Sequence, residues 1–133
     1  MSVVLRLIGY FCSKSGTMSV NHTSVKKSAI RVEVELNELK QPVALQWEAE
    51  DSGLEGSKAA KALMLAIWDK GEQSTMRIDL WTHEMMVEEM DFFFYETLAG
   101  MADTYARATG DKEMSSALKD FAHKFGREKK VIR

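Results

Sequence analysis

Cysteine occurs once, at Cys12, so no intrachain disulfide can form and a reducing, cytoplasmic setting is the expectation. Proline also occurs once, at Pro42, which leaves no material for proline-rich linkers or recognition segments. No apolar run reaches the ~18 residues that span a bilayer, so membrane insertion is not expected. There is no Gly-rich phosphate loop, no paired Cys/His ligand spacing and no G-x-S-x-G turn around a serine. Those absences remove the usual signatures of nucleotide, zinc and hydrolase chemistry. No solenoid repeat is visible either.

What is present is an ordinary globular balance over 133 residues, with 45% hydrophobic and 29% charged side chains. The formal net charge of −2 conceals a segregated layout. Residues 1–40 carry six Lys/Arg and three Asp/Glu, residues 41–100 carry four and twelve, and residues 101–133 carry eight and five. An acidic middle repels phosphate, so nucleic acid is not an expected partner. The basic run His123–Arg133 reads as a solvated helix end whose cations complement the dipole.

At the N-terminus, Val3–Cys12 is apolar but interrupted by Arg6, with no charged segment ahead of it and no small-residue cleavage site. A signal peptide is therefore not expected. Met18-Ser19-Val20 repeats the opening Met1-Ser2-Val3, and a polar stretch follows. Residues 1–27 are accordingly read as an extension. Met18 is taken as the natural start of the chain, or else residues 1–17 add an apolar strand. Residues 28–133 are read as one α+β domain with a basic tail.

Within that domain, Ser28–Leu36 and Val43–Glu50 alternate apolar and polar residues with period two, and Asn37–Pro42 between them supplies turn chemistry. A β-hairpin follows. Lys58–Trp68 places Ala60, Leu63, Met64, Ile67 and Trp68 at helical spacing, between an N-cap at Gly56-Ser57 and a stop at Gly71, and is predicted to be a helix. Thr75–Trp81 is a third strand. Val87–Thr109 is a long helix whose core stripe is Val87, Met90, Phe94, Thr97/Leu98, Met101 and Tyr105. Gly110 ends it, and Asp111 caps a last helix over Lys112–Gly126. The resulting expectation is ββαβαα: a three-stranded, mostly antiparallel sheet in the order 2-1-3 with three helices packed on one face.

Several constellations invite a chemical reading. His83-Glu84 lacks a second histidine, since Val87 stands four residues after His83, and His22, His83 and His123 fall on three different elements. No metal or other cofactor is expected. The carboxylates Asp79, Glu84, Glu88, Glu89 and Asp91 are accounted for by surface charge and by the preference of acids for a helix start. Met85, Phe92 and Tyr95 fall off the main stripe, and methionine and aromatic residues outside a core favour protein contacts.

Together these segments resemble the gliding-motility-associated GldC family of Bacteroidetes-type bacteria. The runs that carry the resemblance are Ile30–Leu36, Leu45–Ala49, Asp51-Ser52-Gly53, Lys58–Asp69, MRIDLWTHEM from Met76 and Phe93–Thr109 with its MADTYARAT segment. It spans about residues 28–126. The family pattern has proline at the start of the long helix, where Met86 stands here, and begins near residue 20 or later. The resemblance implies a small accessory factor of surface gliding and its associated secretion machinery, and implies no catalytic residues.

The expected function is thus non-enzymatic: binding to a protein of the motility or envelope machinery. Asp79, Trp81 and Thr82 at the strand-to-helix corner, with Asp103 and Arg107 on the long helix, are the expected partner-binding residues. Asp103 and Arg107, four apart with the acid first, suit a helix ion pair. The alternative is a small metal- or metabolite-binding enzyme using Asp79, His83 and Glu88. A third reading is a homo-oligomer assembled through sheet edges.

Overall fold

The computed structural model describes residues 25–133, so the expectations for residues 1–17, Cys12 and His22 lie outside the described residues. Within them the chain divides into two compact units, a β unit up to Met85 and a helical unit from Met86. The fold is α+β.

The β unit opens with β1 (Ile30–Leu36) and β2 (Pro42–Ala49), paired antiparallel from Ile30↔Ala49 to Leu36↔Pro42. Asn37 organises the turn between them: its Oδ1 accepts from the backbone N–H of Leu39 and Gln41, both at 3.0 Å. Its Nδ2 donates to Gln41 Oε1 at 3.1 Å. Such a side-chain-closed turn is what an asparagine after a strand favours. Pro42 takes the first position of β2, where its missing N–H is tolerated. Register puts Ile30, Val32 and Val34 on one face with Ala49, Trp47 and Leu45. The opposite face pairs Arg31 with Glu48 in a salt bridge.

Lys58–Trp68 is not a helix. It supplies β3 (Lys58–Ala60), which pairs antiparallel with β2, and β4 (Ala62–Asp69), which pairs antiparallel with β5 (Ser74–Trp81). The sheets are β1-β2-β3 and β4-β5, so the expected order 2-1-3 is corrected. The strand ending at Trp81 pairs with the preceding segment and not with the first strand. A short apolar run satisfies helical and strand spacing alike, and here the flanking chemistry favours strand. Asp69 Oδ1 accepts from the N–H of Gly71 and Glu72 at 2.8 and 2.7 Å, while Gln73 takes the left-handed conformation with φ 49°. The group that resembles a helix stop is a hairpin loop. Ser57, read as a cap, instead donates to Gln46 Oε1 on β2 at 3.1 Å.

In the helical unit, α1 (Val87–Thr109) and α2 (Lys112–Glu128) form an antiparallel hairpin, two helices where three are expected. Without a proline, α1 is started by Glu89, whose Oε2 accepts from Met86 N–H at 3.0 Å. Gly110 ends it in the left-handed region at φ 76°. Asp111 Oδ1 then caps α2 by accepting from Met114 N–H at 2.9 Å. The helices meet through small residues: Ala102, Ser115, Ala122 and Gly126 are buried, and Ser115 Oγ donates to the carbonyl of Ala102 at 2.7 Å. The stripe expected in the core does not line this seam. Val87, Phe94, Met101 and Tyr105 are exposed, because close approach of the two backbones selects the small-residue face instead.

Candidate functional site

A cleft of ≈ 480 Å³ opens in the β unit where the start of β2 and the end of β5 diverge. It arises because β3 and β4, one segment interrupted at Lys61, turn from β2 to β5 as pairing partner. Asn37, Gln41, Pro42 and Val43 line it from the first hairpin; Asp79, Leu80, Trp81 and His83 line it from β5 and beyond. Thr82 N–H donates to the carbonyl of Lys61 at 2.8 Å, and the carbonyl of Thr82 accepts from Met85 N–H at 3.1 Å. These two bonds fix the corner that carries Trp81 and His83.

Of the residues expected to bind a partner, Asp79 and Trp81 line this cleft. Trp81 is 58% exposed, so it is not a core residue. Arg77 Nη2 donates to Asp79 Oδ1 at 3.1 Å, so the carboxylate meets the cleft partly neutralised. Thr82 is buried, and its Oγ1 has no hydrogen-bond partner, a costly state for a hydroxyl removed from water.

Asp103 and Arg107 lie on α1, in the helical unit. Asp103 is bridged to Lys119 of α2 at 2.8 Å, while Arg107 Nη2 donates to Thr104 Oγ1 at 3.1 Å. The Lys119 hydrogen bond holds the Asp103 carboxyl below the usual carboxylate range, and the charge of Arg107 adds to this. The lysine across the hairpin is a better partner than the arginine one turn on, because it also joins two elements.

Glu88 begins α1, whereas Asp79 and His83 belong to the β unit. Among the described residues, no group of three or more His, Cys, Asp or Glu side chains stands close enough to hold a metal ion. No helix of the described residues is long and apolar enough to cross a membrane. Sequence reasoning treats Asn37, Gln41, Pro42 and Val43 only as a turn and a strand start. Their place in the cleft depends on where β2 parts from the following strands, which no local pattern encodes.

Residues 42–131 match the family described as gliding motility-associated protein GldC-like, well over half of the chain. The chain belongs to the GldC-like family. The match opens at Pro42, the first residue of β2, and runs beyond the end of α2. The GldC-like region thus includes β2, both strands of the second hairpin and both helices, and takes in Asp79, Trp81, Thr82, His83, Asp103 and Arg107. No curated protein and no solved structure matches the chain.

Proposed function

We propose that this protein is a non-enzymatic accessory factor of gliding motility that works by binding another protein of the motility or envelope machinery in the cytoplasm. The observation that carries the reading is the cleft, where an exposed Trp81 stands beside Asp79 and His83 over a corner fixed by backbone bonds. An accessible tryptophan with a few polar neighbours is the composition of a protein-contact hot spot. Membership of the GldC-like family supplies the motility context. Asp79 and Trp81 form the primary contact, the buried Thr82 holds their corner in place through its backbone bonds, and Arg107 with Asp103 forms a further contact.

The test is complementation of gliding in a strain lacking the gene, with Trp81→Ala and Arg107→Ala introduced separately and the fold of each variant verified. Loss of gliding with Trp81→Ala, together with loss of a captured motility or envelope protein, is the expected result. Full gliding with both variants overturns the reading. The alternative of a metabolite-binding enzyme draws on Asp79 and His83 lining the same cleft. Mass spectrometry of the native purified protein that finds a small molecule released on denaturation, and lost on His83→Ala, would favour it.

A further inference from the structure

The hydrogen bonds already made at the cleft decide which ones it has left to offer. All eight lining residues belong to the β unit, so this chemistry is set within that unit. Asn37 engages its Oδ1 with the backbone N–H groups of Leu39 and Gln41, and one hydrogen of its Nδ2 with Gln41 Oε1. The Gln41 carboxamide is thereby oriented, its oxygen held by Asn37 and both hydrogens of its Nε2 left over. Asp79 has both oxygens on Arg77 Nη2, each at 3.1 Å. The indole N–H of Trp81 has no partner among the described residues. What remains is mostly donor: N–H groups on Asn37, Gln41 and Trp81, with His83 able to serve either way.

That surplus of donors selects the ligand by elimination. An anion would satisfy them, but no Lys or Arg lines the cleft and the Asp79 carboxylate repels it. A cation finds that carboxylate already paired with Arg77. An added β-strand presents donors and acceptors alike along its edge, and its donors would go unmet here. A run of prolines fits: each keeps its carbonyl and has no N–H, and the polyproline II conformation leaves those carbonyls without internal hydrogen bonds. The apolar part of the lining suits the rings. Trp81 is exposed, Pro42 and Leu80 are half-buried, and the register shift opposite Leu36 leaves Val43 outside the cross-strand pairing. The volume of ≈ 480 Å³ lies within the roughly 300–1,000 Å³ of specific binding sites.

We propose that the protein partner enters this cleft as a proline-rich segment in the polyproline II conformation. Its rings pack on Trp81 and Pro42, and its carbonyls accept from Trp81 Nε1, Gln41 Nε2 and Asn37 Nδ2. This rests on the protein-binding reading of the cleft and names the chemistry recognised there. Titration of the isotope-labelled full chain with decaproline, followed by nuclear magnetic resonance, tests it. Of the three tryptophan indole signals, that of Trp81 should move while those of Trp47 and Trp68 stay. By anisotropy of labelled decaproline, Gln41→Met and Trp81→Phe should each weaken binding by about 5-fold, the loss of one hydrogen bond with the shape nearly kept. Trp68→Ala, at an exposed tryptophan of β4, should leave binding unchanged. A Gly-Ser peptide of equal length should not bind. The indole signals are read in the native chain, so a misfolded variant does not obscure the result. A Trp81 signal that stays still at millimolar decaproline overturns the proposal. Equal binding of the Gly-Ser peptide, or tighter binding of decaglutamate, overturns it too. If Trp81→Ala still loses a protein captured from cells in those cases, the protein-binding reading stands without the proline segment. If capture is indifferent to Trp81 as well, both fall.

Discussion

Thr82 carries a polar group at a cost to stability. Its hydroxyl is buried without a partner, so Thr82→Val removes a desolvated polar atom while keeping the branched shape. The variant should be more stable by about 1 kcal/mol, read as a higher midpoint in denaturant unfolding. Capture of the partner should be unchanged, because the buried hydroxyl does not reach the surface. Equal or lower stability in the variant would mean that the hydroxyl is satisfied in solution. Asp103 offers a test by pH. Its carboxyl is held below the ordinary value of 3.8, chiefly by the Lys119 hydrogen bond, so it binds protons less readily when folded. The stabilisation is present above the ordinary value and is lost as pH falls through the depressed one. Lys119→Met should cost about 0.3 kcal/mol at neutral pH, small because both groups are solvated, and the difference from wild type should vanish in strong acid. Comparing unfolding midpoints at the two pH values decides it.

Elements respond to the spaces between them. Gly126 in α2 is buried, and a Cβ there would stand 2.8 Å from Tyr95 Cδ2 and 2.9 Å from Ile132 Cγ1. Alanine is the better helix former, yet here it meets an aromatic ring that cannot move aside cheaply. Gly126→Ala should destabilise the hairpin by about 1–3 kcal/mol despite its propensity gain. A rise in thermal midpoint would show that the seam has slack. The second β-hairpin depends on Asp69, which closes the loop through Gly71 and Glu72. Asp69→Ala should lower stability by about 1 kcal/mol, measured by chemical unfolding. The same residue explains the misreading of Lys58–Trp68. Its carboxylate accepts from loop amides, whereas a helix end at the same place would leave carbonyls open, and the run Asp69-Lys70-Gly71 suits either in a linear pattern.

On the scale of the whole molecule, two compact units each present surface that a globular chain normally covers. In the β unit, the β4–β5 pair carries Leu65, Ile67, Met76 and Ile78 exposed on one side, in the register Leu65↔Ile78 and Ile67↔Met76.

The sequence by itself determined the elements whose signals are local. Period-two alternation placed β1, β2 and β5, and the stop at Gly110 with the cap at Asp111 placed the break between helices. Its family runs placed the chain among GldC-like proteins. Asp79 and Trp81 drew notice through the MRIDLWTHEM run that carries the family resemblance, and both line the cleft. Tertiary structure alone decided the rest. Whether Lys58–Trp68 became helix or strand turned on partners at β2 and β5, and the cleft turned on where those partners change. Which side of α1 met α2 followed from backbone approach, which favours Ala102 and Gly126 over the larger stripe. Pairing and close packing act between residues far apart in the chain, and neither leaves a period in the sequence.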